Sequence, residues 1–241
     1  MPLTYQAEVL ADSPYLYWRL GEASGTTAED ATANNRDGTI AGSPTMGASG
    51  ALREDSNTAF DLDAVDDHVN SNVVVNTATV TVEVWFYYSG TVPSADARVA
   101  GFVDAPADGT HEKELYIDTA GKLRFYVYDG GPRYTSVPAT SLSTGWNHLV
   151  GTADGTTARA YVNGVEVGSM AAGDTFTGYV NNNVFVGRDS TGSVVFARLA
   201  GKRDEFAVYT SALTAARIGA HYTAGILPSL FQPFVPMRVR S

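Results

Sequence analysis

Apolar and polar residues alternate with a period of two over much of this chain, and turn-forming residues repeatedly interrupt the alternation. The pattern is clearest from Trp146 to Gly168. Ala158, Ala160 and Val162 alternate up to Asn163-Gly164, and Val165 and Val167 resume after it. Both central positions of a type I′ turn need positive φ, which Asn and Gly tolerate, so the segment predicts a β-hairpin. Trp146 and Leu149 begin an earlier strand, Asp154-Gly155 supplies a second turn, and the unit is expected to be a three-stranded meander. Two further segments alternate as strongly. Val80, Val82, Val84 and Phe86 share one strand face while Thr81, Glu83, Trp85 and Tyr87 share the other. Likewise Leu123, Phe125 and Val127 alternate with Arg124, Tyr126 and Tyr128. The first-named face of each is assigned to the core. A helical pattern falls near the end, with Thr214 as N-cap, Ala215, Ile218 and Tyr222 on one face, and Gly225 at the terminus.

Composition narrows the class. With 241 residues, of which 44% are hydrophobic, the chain is long enough for one β-rich domain with a sizeable core. Its 24 Gly and 10 Pro are spread along the chain, which gives no internal linker. Apolar runs are cut well before the roughly 18 positions that a membrane helix needs, so no membrane insertion is expected. A formal net charge of −10 opposes nucleic-acid binding. The absence of cysteine removes disulfides and thiolate metal sites. The opening residues show no basic stretch leading into an apolar one, so no secretory signal is expected.

Residues 226–241 differ from the preceding 1–225. Pro228, Pro233 and Pro236 interrupt regular structure, and Ile226, Leu227, Leu230, Phe231, Phe234, Val235 and Met237 make the segment apolar. Such an arm is expected to be extended and to pack either on its own domain or on a partner, since apolar surface left in water favours aggregation. Leu227, Leu230, Phe231, Phe234 and Met237 are the docking candidates, with Arg238 and Arg240 facing acidic surface.

The meander resembles the central segment of laminin G-like domains in the concanavalin A-like lectin/glucanase superfamily. Tyr17-Trp18-Arg19-Leu20-Gly21-Glu22 is similar to that family's first strand, and Val82-Glu83-Val84-Trp85 to a later one. Phe60-Asp61 through Asp66-Asp67-His68-Val69 and the closing Gly201 to Tyr209 also match in order. The resemblance covers roughly residues 5 to 225. It implies an all-β, antiparallel two-sheet jelly-roll sandwich with a short C-terminal helix, followed by the extended tail. It does not name a ligand, because one fold carries many functions. The opening Asp12 to Glu22 is further similar to such domains in minor tail and surface proteins of phages infecting actinobacteria. The 13 Arg against 3 Lys agree with a GC-rich genome. The expected setting is therefore a virion surface, with a bacterial cell-surface or extracellular domain as the alternative. The expected partners are other virion proteins, through the arm, and host-envelope polysaccharide; homo-oligomers remain open.

Three chemistries follow as expectations. Trp85, Tyr87, Tyr126 and Tyr128, with Arg124 and Glu83 as hydrogen-bond partners, form a candidate polar-aromatic platform for sugar rings; a cross-strand cluster that merely supports the sheet is the competing reading. Calcium is the cofactor that the resemblance implies, held between Glu22 and Asp204 where the chain ends meet. Asp61, Asp63, Asp66 and Asp67 make a second acidic cluster, which also reads as turn capping. No catalysis is expected. The E-x-D-x-x-E strand of the superfamily's hydrolases is missing, Glu112 and Glu114 lack the intervening Asp on what reads equally as an exposed edge, and the four histidines are widely spaced, with His148 read as structural. Non-catalytic adhesion, or a purely architectural decoration role, is the expected function.

Overall fold

A computed structural model describes residues 4–53, 55–75, 77–104, 111–129, 132–135, 142–171, 182–187 and 199–227. Helix α1 (Tyr5–Ala11) leads into β1 (Leu16–Trp18), β2 (Thr27–Ala28), β3 (Gly38–Ala41), β4 (Thr45–Ser49), β5 (Thr58–Leu62) and β6 (His68–Ser71). There follow β7 (Thr79–Tyr88), β8 (Ala97–Asp104), β9 (His111–Ile117), β10 (Leu123–Asp129) and β11 (Pro132–Thr135). The chain closes with β12 (Gly145–Asp154), β13 (Thr157–Val162), β14 (Val165–Ala171), β15 (Asn182–Val186), β16 (Gly201–Tyr209) and helix α2 (Ala215–Ile226).

The strands make two antiparallel sheets. One runs β14-β13-β12-β7-β16-β5-β4, with β1 paired to β16; the other runs β11-β10-β9-β8-β15-β6-β3-β2. Strands distant in sequence are neighbours, since β7 lies between β12 and β16 and β15 between β8 and β6, which is the connectivity of a jelly-roll sandwich. The expected meander is β12-β13-β14. Its Asn163 and Gly164 have φ of 51° and 78°, as a type I′ turn requires, and Asn163 Oδ1 also accepts from the His148 N–H.

Between the sheets lies the main core. Val80, Val82, Val84 and Phe86 of β7 face Leu123, Phe125 and Val127 of β10, all buried as expected. The sheets approach so closely that a Cβ on Gly151 would lie 2.1 Å from Cδ2 of Phe125. Glycine at this position in β12 makes room for the aromatic ring.

A second apolar layer lies outside the first sheet. There Tyr5, Val9, Leu213 and Ile218 of α1, α2 and the segment before α2 bury Tyr17, Trp85, Val150, Tyr161 and Tyr209. Helix α1 was not legible in the alternation; Thr4 caps it by accepting from the Ala7 N–H. Helix α2 starts at the expected Thr214, which accepts from the Arg217 N–H, but it runs one residue beyond Gly225. Gly225 is not a terminator. It is buried, and a Cβ there would meet Cζ2 of Trp85 at 2.5 Å, so it lets the helix lie against the indole. The face turned to the sheet carries Ile218 and His221, while Ala215 is exposed.

Candidate functional site

The platform read from the sequence divides between the two sheets. Trp85 and Tyr87 belong to β7 of one, Arg124, Tyr126 and Tyr128 to β10 of the other. Trp85 is only 2% exposed, stacked on Tyr222 of α2 and tilted against His148, so no ring outside the protein reaches it. The physical cause is the helical layer, which turns a second sheet face into a second core. Tyr87, farther along β7, is half-buried; Trp146 meets it edge to face at 5.6 Å and the Lys202 Nζ lies 5.0 Å from its ring centre.

Glu83 is likewise no partner of Arg124. It is fully buried on β7 and receives hydrogen bonds from four elements. Tyr5 of α1 and Tyr209 of β16 donate their hydroxyls at 2.8 and 2.9 Å. His148 of β12 meets it through Nε2 at 2.6 Å, and His221 of α2 through Nδ1 at 3.1 Å. His221 Nε2 contacts Asp12 at 2.9 Å, and Arg217 binds Asp12 and Glu8. Burial alone would raise the Glu83 carboxyl, but the His221 charge and the imidazole hydrogen bonds outweigh it and hold the group well below its ordinary value. Histidines far apart in sequence thus converge on one carboxylate, and His148 is structural as expected. This network ties both helices to the sheet.

On the second sheet the expected polar-aromatic face survives in part. Arg124 lies directly across from Tyr116, and Tyr126 across from Glu114 and Tyr134. Asp118 rigidifies the turn between β9 and β10 by accepting from the Ala120 and Lys122 N–H groups, and its other oxygen takes the Arg124 Nε at 2.9 Å. Burial works against charge on Asp118, but these donors prevail and lower its carboxyl from the ordinary value. Tyr126, half-buried, meets Tyr116 edge to face at 6.2 Å. The Tyr128 side chain lies outside what is described. Strand β9 is interior to the sheet, not an exposed edge: Lys113 is buried and donates Nζ to the Thr77 carbonyl, while Glu114 is buried against Arg98 at 2.6 Å. The Glu112 side chain also lies outside the described set.

The Glu22–Asp204 pair does not fit a shared calcium ion. Asp204 is fully buried, with one oxygen accepting from the Ala51 N–H at 2.7 Å and the other from Asn57 Nδ2 at 3.2 Å. Glu22 instead accepts from the Glu29 N–H, and the charges that raise it are those of Glu29 and Asp37, after burial. It follows β1 outside any strand, and its hydrogen bond is to the Glu29 segment and not to the groups that hold Asp204. In the second cluster, carboxylate oxygens of Asp63, Asp66 and Asp67 lie within 4.8 Å of one another. Asp67 accepts from the Ser43 and Asp63 N–H groups and Asp63 from the Val65 N–H, which is the turn-capping alternative. Of the docking candidates, Leu227 is 47% exposed just past α2; Leu230, Phe231, Phe234 and Met237 lie outside the described residues.

Comparison with known proteins places this geometry in a family. Domain 4 of AbnA, a GH43 extracellular arabinanase from Geobacillus stearothermophilus, solved in complex with arabinotriose, superposes with a TM-score of 0.64 at 19% identity, over 87% of this chain and 98% of that one. The ligand binding domain of botulinum neurotoxin serotype D, in complex with N-acetylneuraminic acid, gives 0.65 at 15% identity over 91% of this chain. Trypanosoma rangeli sialidase gives 0.60 at 16% identity over 87%. The chain spans 52% of that neurotoxin chain and 32% of that sialidase. These likenesses are likenesses of fold. No curated protein sequence matches. A laminin G-type family model matches residues 62–219, which is most of the chain, so the protein belongs to the concanavalin A-like lectin/glucanases superfamily.

Proposed function

We propose that this protein is a non-catalytic carbohydrate-binding module. The observation that carries the reading is the outer face of β9 and β10, where Asp118 holds Arg124 in place beside the half-buried Tyr126, itself packed on the buried Tyr116. Aromatic rings and guanidinium groups are the side chains that commonly meet sugar C–H faces and hydroxyls. The arabinotriose bound to the arabinanase domain, whose whole length this chain matches, supports the same use of the fold. With only Arg124 and Tyr126 partly exposed among the described residues of this face, affinity per copy is weak, and display of many copies on a phage particle supplies avidity. The phage setting rests on the Asp12 to Glu22 motif and the excess of Arg over Lys. An architectural role on the same particle is the second reading, favoured by exposed Ile226 and Leu227 leading into an apolar tail sequence.

A glycan array with the wild type and with Tyr126→Ala and Arg124→Ala tests it. We expect at least one polysaccharide class to bind, and each variant to bind roughly tenfold more weakly. A wild type that binds no glycan leaves the architectural reading. Parallel arrays in calcium and in EDTA decide whether an ion takes part, with Asp63, Asp66 and Asp67 as the carboxylates to replace if it does.

A further inference from the structure

A groove opens at the end of the sandwich where α1 meets β1, far along the chain from β9 and β10. Its volume is about 530 Å³, and its lining includes Leu10, Pro14, Tyr15, Ala33, Asn34 and Arg36. That is within the range of roughly 300–1,000 Å³ typical of small-molecule sites. The walls are held firmly. The Asp30 carboxylate accepts from the N–H groups of Tyr17, Thr32 and Arg36 and from the Thr32 hydroxyl. Asn34 Nδ2 donates to the carbonyls of Pro14 and Tyr15, and the Trp18 indole donates to the Arg36 carbonyl. The loop between β2 and β3 is thereby fastened to the strand it faces, so a ligand would meet a surface already formed.

Arg36 is the distinctive group. Its guanidinium carbon lies 3.7 Å from the centre of the Tyr15 ring, and Nη1 donates to the Tyr15 carbonyl at 2.9 Å. Among the described residues no carboxylate pairs with it. Nε and Nη2 make no hydrogen bond there either. An arginine stacked flat on an aromatic ring presents its remaining donors in a fixed plane, the arrangement that takes a carboxylate in two parallel bonds. Beside it, Leu10 is 37% exposed and Pro14 and Ala33 line the same groove, which suits the apolar face of a ring. In a protein of net charge −10, an unpaired, immobilised cation in a concave site selects against the general repulsion of anions.

We infer that this groove binds a carboxylate-bearing sugar, a uronic or sialic acid residue, with its carboxylate on Arg36 and its ring against Leu10 and Ala33. The inference rests on the carbohydrate-binding reading and deepens it by naming the sugar class and a second site. Calorimetric titration with glucuronic, galacturonic and N-acetylneuraminic acids, against glucose and galactose as neutral controls, is the test. At least one acidic sugar is expected to bind and the neutral ones not. Arg36→Ala should weaken that binding roughly tenfold or more. Arg36→Lys, which keeps the charge but not the planar fork, should recover only part of it. Ala33→Trp, which fills the groove without removing a hydrogen bond of the loop, should block binding; unchanged melting temperatures show that the variants fold. If acidic sugars do not bind, or bind Arg36→Ala and Ala33→Trp as the wild type, the groove is not their site. Polysaccharide binding by a wild type that takes up no acidic sugar overturns this inference alone, whereas a wild type that binds no saccharide of any kind overturns the functional reading with it.

Discussion

Glu83 shows how far one side chain's meaning depends on its surroundings. On an alternating strand it reads as outward and available; in the folded chain it is buried beneath two helices and saturated by two tyrosines and two histidines. Its pH behaviour follows. The folded Glu83 carboxyl lies below its ordinary value, so its contribution is present above about pH 4.3 and is lost as pH falls through the folded value. For His221, burial lowers the imidazole, but the Glu83 charge and hydrogen bond and the Asp12 charge raise it on balance. Its contribution is therefore complete below about pH 6.5 and is lost as pH rises through the folded value. Asp204 is raised by burial and by the neighbouring Glu205, and Glu205 by burial, so both also favour lower pH. Melting temperature should be highest at mildly acidic pH and decline toward alkaline pH. In His221→Gln the alkaline decline should be shallower, and an identical slope in the variant would remove His221 as its source.

Single strands and helices carry their own consequences. Strand β12 needs Gly151 because the Phe125 ring of the opposite sheet occupies the space of a side chain. Gly151→Ala must displace that ring or part the sheets, and such overpacking costs about 1–3 kcal/mol. A lowered denaturation midpoint at unchanged slope would show it; an unchanged midpoint would mean that the sheets yield freely. Helix α2 illustrates how a punctuation signal misleads. A glycine near a helix end usually marks a cap, yet Gly225 is there because Trp85 lies against the helix backbone. Helix α1 carries a capping threonine and two inward residues, Tyr5 and Val9, in seven positions, too short a period to stand out before its docking surface is known.

For the molecule as a whole, the two expected sheets carry a helical layer on the outer face of the first, to which α1 adds its share beside the expected α2. The outer face of the first sheet is thereby largely closed to ligands, while part of the face at β9 and β10 and the groove by Tyr15 stay accessible. The exposed Ile226 and Leu227 lead into a tail rich in Leu, Phe and Pro, which predicts association through that end. Light scattering of the full chain should give a larger mass than a chain ending at Leu227, with α2 intact. Equal monomeric masses would show that the tail makes no contact between copies.

The two-sheet sandwich was implied by the resemblance to laminin G-like domains, while the alternation of residues was enough for the β12-β13-β14 meander and its Asn163-Gly164 turn, because strand period and positive φ are local properties of the chain. It was enough also for the core faces of β7 and β10, since side chains two apart must share a side. Which sheet each strand joined, and what covered the other side, required the assembled fold. Trp85 and Tyr126 look alike in sequence, but one lies under α2 and the other on a different sheet. Tyr5, His148, Tyr209 and His221 meet only at Glu83, and Arg36 stacks on Tyr15 only when the loop after β2 folds back. Such meetings depend on long-range packing, for which residue spacing along the chain leaves no signature.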